Sequence, residues 1–229
     1  MLLVEDYNYL VNPQRMVVVI LNVLLSAGSI TIGLLSLSKA AKSDIARKYF
    51  LGIALFFIAL GVGRAFYVID DYFTPGYTKY ELTPANIYYR LATFSTLLGF
   101  TALEYLIEST FIKKTRYTFT IFGIVCTTSQ LSFPFIIADS INFYAIPALT
   151  IIPFLLYLYL AITLKGSIKI QALIVIVGMV LLITGFMILG LLYKIGLLER
   201  IWTSIFGPPV SLAGLIVVGY GLIYKKGEF

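Results

Sequence analysis

Apolar residues run along this chain in long blocks, broken by short polar connections. The blocks fall at roughly 16–38, 48–70, 88–111, 117–139, 143–164, 169–193 and 201–224, each near the ~20 helical residues that cross a bilayer. In lipid, no water is present to satisfy backbone polar groups, so a continuous apolar run of this length has to be a helix. Membrane strands would instead give short segments of alternating polarity. The pattern predicts an all-α, seven-transmembrane helix bundle forming one domain over 1–229. The first block is too long for the apolar core of a signal peptide, and Glu5 and Asp6 precede it where a basic region is expected.

Composition agrees with the pattern. The chain is 60% hydrophobic and 12% charged, with a mean hydropathy of +0.96, whereas soluble domains carry about 25% charged residues. There is no His, which removes the commonest neutral-pH acid–base group and the commonest transition-metal ligand. The single cysteine, Cys126, cannot form an intrachain disulfide and reads as a small core residue.

The net charge of +6 does not point to nucleic acid, because the basic residues sit in short clusters between apolar blocks. Lys39, Lys42, Arg47, Lys48, Lys113, Lys114, Arg116, Lys165, Lys169, Lys225 and Lys226 fall on one side. Arg15, Lys79, Arg90, Lys194 and Arg200 fall on the other. The richer side is expected to be cytoplasmic, which puts the N-terminus outside and the C-terminus inside. Acids run the opposite way: Glu5, Asp6, Asp70, Asp71, Glu81, Asp139 and Glu199 lie outside, and Asp44 and Glu228 inside.

The departures from apolarity mark candidate chemistry. In "GVGRAFYVIDDYF", Arg64, Tyr67 and Asp71 recur at steps of 3 and 4, which puts them on one helix face. In the third block Arg90, Thr93, Leu97, Thr101, Glu104 and Glu108 form a second stripe. Polar stripes on membrane helices should face other helices or water. Gln130, in "CTTSQLSFP", is the best uncharged group to hydrogen-bond Arg64 from a neighbouring helix, with Asp71 or Asp139 assisting from above. Two readings stay open: interhelical glue, or a solvated ligand or ion pathway lined by Arg64, Tyr67, Asp71, Arg90, Thr101, Glu104 and Gln130. Glu108, near Lys113, reads as an interfacial carboxylate. Ser26, Ser29 and Gly33, and Gly207, Ser211 and Gly214, have the spacing that lets helices approach closely. Pro208 and Pro209 are expected to bend or delay the last helix, and Pro134, Pro147 and Pro153 to kink the fourth and fifth. The 71–87 connection, rich in Tyr, reads as an interfacial aromatic belt or a lid over an outward pocket.

Length and topology resemble a microbial rhodopsin. That family holds retinal on a lysine of the seventh helix, and the block "IWTSIFGPPVSLAGLIVVGYGLIY" has none, so a retinal pigment is set aside. No cofactor, metal site or nucleophile–base pair is legible, and no catalysis is expected. The leading expectation is a multi-pass protein of the cell membrane, sensor- or receptor-like. It would take a small ligand on the outer side and act through a separate cytoplasmic protein partner. A small-solute or ion transporter using Arg64 and Glu104, and a non-catalytic subunit of a larger assembly, remain as alternatives.

Overall fold

The computed structural model describes residues 13–42, 47–70, 86–110, 112–185 and 200–223. These residues form seven α-helices: α1 (Pro13–Lys42), α2 (Arg47–Val68), α3 (Asn86–Thr110), α4 (Thr118–Ser132), α5 (Phe135–Thr163), α6 (Ser167–Ile183) and α7 (Arg200–Ile223). A single 3₁₀ turn, Lys113–Thr115, precedes α4. Four stretches are long and apolar enough to cross a membrane: Val19–Lys42, Arg47–Val68, Phe135–Thr163 and Phe206–Ile223. In α6, Lys169–Ile183 is apolar but shorter. The 25-residue α3 is long enough, but its carboxylates and threonines dilute its apolar character. With 15 residues, α4 spans only about 22 Å.

The pairs α1–α2 and α6–α7 run antiparallel and touch through small residues. On α1 and α2, Ser26 Oγ donates to the Gly61 carbonyl at 2.7 Å. A Cβ at Gly61 would lie 2.8 Å from the Ser26 carbonyl, so glycine there permits backbone contact. On α6 and α7, Gly178 meets Gly214, and Gly185 meets Gly207 and Ser211. The small-residue spacings on the first and last helices therefore do mark close contacts. α7 returns alongside α1: Gly28 faces Leu212 and Leu215, and Lys39 Nζ donates to the Ile223 carbonyl.

The main apolar core draws Leu25, Phe57, Leu103, Leu156, Met179 and Leu215 from six helices. α4 stands outside this core and joins α3 and α5 through Leu97, Cys126, Ala145 and Leu149. The outer surface is strongly apolar: Ile162 is 73% exposed and Ile136 61%. A soluble monomer does not expose such side chains on helix after helix, whereas lipid solvates them. Fold and composition together define a helical membrane protein.

Two sequence expectations need correction. The fourth and fifth blocks were expected to divide between 139 and 143, but the break is at Phe133–Pro134. Proline removes a donor and pushes the preceding residue out of the helical region, and Phe133 is extended at φ −93, ψ 160. Asp139, at the end of the fourth block, and Ser140 and Asn142, in the gap after it, are helical, and Asn142 is buried. Nor is α7 delayed by its prolines: it runs through Pro208 and Pro209, as α5 runs through Pro147 and Pro153.

Candidate functional site

Five helices enclose a cavity of about 210 Å³. Four of them contribute residues at helical spacing, so one face of each turns inward. α2 supplies Phe56, Leu60, Arg64 and Tyr67, and α3 supplies Thr96, Phe100 and Leu103. Ile146, Thr150 and Pro153 come from α5, Met179, Leu182 and Ile183 from α6, and Val218 from α7. Among the described residues of this lining, Arg64 is the one charged side chain. Its guanidinium lies 5.7 Å from the centre of the Tyr67 ring, within cation–π range. The two threonine hydroxyls are already used as donors. Thr96 Oγ1 donates to the Ala92 carbonyl at 2.8 Å, and Thr150 Oγ1 to the Ile146 carbonyl at 2.6 Å.

Beyond Tyr67, an aromatic path leads to an acid. The Tyr67 and Tyr89 rings meet edge-on at 5.6 Å, and Tyr89 meets Phe135 at 5.4 Å. Tyr89 donates to Asp139 Oδ1 at 2.5 Å, and Asn142 reaches the same hydroxyl. Asp139 therefore relates to Arg64 through two tyrosines in edge-on contact.

A separate polar seam joins α3 to α4. Thr101 Oγ1 lies 3.2 Å from Thr127 Oγ1, and Arg90 Nη1 donates to the Gln130 carbonyl at 3.5 Å. Glu108 is 1% exposed and accepts from Phe119 N (3.1 Å), Thr120 N (2.8 Å) and Thr120 Oγ1 (2.5 Å). It lies two residues from the end of α3, buried against the start of α4 and not open to solvent. It caps the N-terminus of α4, where two orphan N–H groups and the helix dipole favour an anion. One turn deeper, Glu104 is 0% exposed, and neither of its oxygens has a hydrogen-bond partner among the described residues. Helical geometry places Glu104 between Thr101 and Glu108, on the side of α3 that faces α4.

The residues singled out from sequence thus divide. Arg64 and Tyr67 meet at the cavity. Arg90, Thr101 and Glu104 lie on the α4 side of α3, and Gln130 lies on α4, where its backbone carbonyl accepts from Arg90. Asp71 and the 71–85 connection lie outside the described residues. The Gln130 amide nitrogen donates to the carbonyls of Cys126 (3.3 Å) and Ala138 (3.2 Å) and to Ser129 Oγ (3.4 Å), which ties α4 to α5. Thr96, Thr150 and Met179 escaped sequence reasoning, because nothing local separates them from ordinary core positions. Thr150 and Pro153 do stand at helical spacing after Ile146, but in an apolar block that spacing is common.

No protein-family model, curated protein or solved structure matches this chain. Its class therefore rests on composition, fold and cavity: a helical membrane bundle with a mostly apolar central cavity and one guanidinium in its wall.

Proposed function

We propose that this chain is a seven-span protein of the cell membrane, with its N-terminus outside and C-terminus cytoplasmic. It binds a small molecule in the central cavity and works as a sensor or receptor-like bundle. It is not an enzyme. Binding is passed to a separate cytoplasmic protein that meets the basic loops between α1 and α2, α3 and α4, and α5 and α6. The cavity carries this reading. An intramembrane charge is costly to keep and marks a functional site by default, and Arg64 stands at the wall of a space large enough to hold a ligand. Concave, mostly apolar sites with a few convergent polar groups are the usual form of a small-molecule pocket.

The test is a thermal-shift screen of purified protein against small amphiphiles, repeated on Thr150→Phe, which fills the cavity. Hits lost in Thr150→Phe support the reading, and hits that persist there contradict it. Orientation is tested in intact cells with single cysteines at the exposed positions Arg116 and Lys165 in a Cys126→Ser background. Both should be shielded from an impermeant maleimide added outside.

Glu104 favours a second reading, transport of a small solute or ion. A buried carboxylate without a hydrogen-bond partner among the described residues is a group that a moving cation or proton could use. Flux into proteoliposomes that is lost in Arg64→Ala and Glu104→Gln would select transport. Binding without flux selects the receptor.

A further inference from the structure

The cavity is graded along the bundle axis. Arg64 and Tyr67 sit toward the C-terminal end of α2, and Phe56 lies eight residues, about 12 Å, deeper. Around that deeper end are Leu103, Met179 and Val218, with no charge and no donor side chain. Thr96 and Thr150 lie between, and their hydroxyl protons are committed to backbone carbonyls of their own helices. Among the described residues, side-chain donors into this space therefore come from the Arg64–Tyr67 end. A guanidinium carries five N–H donors in a fork that fits a carboxylate, so it can hold a ligand while keeping another contact.

Resting on the cavity reading above, we propose that the ligand is an amphipathic monocarboxylate, bound with its carboxylate at Arg64 and its apolar body toward Phe56, Leu103, Met179 and Val218. About 210 Å³ holds several waters or one ligand of about ten non-hydrogen atoms, the size of a medium-chain fatty acid. Such an acid can arrive from water or from the bilayer. The two sources share the headgroup chemistry and differ in chain length.

The experiment measures binding of octanoate, octanol and octylamine to the purified full chain in one detergent, by thermal shift and by equilibrium dialysis. Wild type, Arg64→Gln, Arg64→Lys and Thr150→Phe are compared. Octanoate is expected to bind, to weaken about ten- to a hundredfold in Arg64→Gln and less in Arg64→Lys, and to be lost in Thr150→Phe. Octylamine is expected not to bind. If Arg64→Gln does not fold, Arg64→Lys carries the test, because it keeps the charge but loses the bidentate fork. Oleate in vesicles against octanoate in water tells a bilayer source from an aqueous one, and preference for either supports the carboxylate class. Octanol binding that Thr150→Phe abolishes while Arg64→Gln leaves octanoate untouched would overturn the carboxylate and keep the cavity. If none of the three probes binds wild type, both readings fall.

Discussion

Glu104 and Glu108 provide a matched pair, because they sit one turn apart on one helix and are both buried, yet differ in what their oxygens touch. Glu108 receives three donors from the start of α4. Glu104 receives none among the described residues. Replacing each by Met keeps length and most of the volume while removing the carboxylate. At Glu108 this strands two backbone N–H groups and one hydroxyl. At about 1 kcal/mol each, the loss is about 3 kcal/mol, somewhat above a typical lost helix cap. Soluble domains of this size shift by about 2–4 °C per kcal/mol, so the melting midpoint should fall by roughly 6–12 °C. At Glu104 no protein hydrogen bond is lost and the cost of burying an unsatisfied polar group is relieved, so the midpoint should hold or rise. Thermal melts followed by circular dichroism at 222 nm, with all proteins in the same detergent, read both effects. A fall in Glu104→Met as large as that in Glu108→Met would refute the assignment of unequal roles.

The α1–α2 contact makes a similar comparison possible. Gly61→Ala puts a Cβ 2.8 Å from the Ser26 carbonyl and should cost about 1–3 kcal/mol, while Gly28→Ala, with its nearest neighbour at 3.4 Å, should be tolerated. Equal melting midpoints for the two would contradict backbone-level packing at Gly61. Tyr89→Phe removes the donor to Asp139 and should lower stability by about 1 kcal/mol. A double-mutant cycle with Asp139→Asn should give a coupling energy of at least about 0.5 kcal/mol, and a value near zero would mean that the bond contributes nothing in the membrane protein.

The helical class was legible from the apolar blocks, because lipid imposes one solution on a long apolar run. The stripe Arg64–Tyr67 was legible too, since steps of 3 and 4 fix a shared face whatever the fold. Periodicity did not locate the break between α4 and α5, where polar Ser140 and Asn142 imitated a loop and Pro134 was the actual stop. Nor could it tell Glu104 from Glu108. Both lie on one stripe, and only the approach of the α4 N-terminus gives Glu108 its three donors.

What the sequence settled by itself was the solvent this protein prefers, its helical class and the residues that interrupt the apolar blocks, because these follow from composition and from the angle per residue. Tertiary structure alone decided which interruptions share a space. It put Arg64, Thr96, Thr150 and Met179 along one cavity, turned Thr101 and Glu104 toward the α3–α4 seam and turned the Gln130 amide toward α5. Those meetings depend on how separate helices rotate and stack against one another, and no single helix encodes the azimuth of its neighbour.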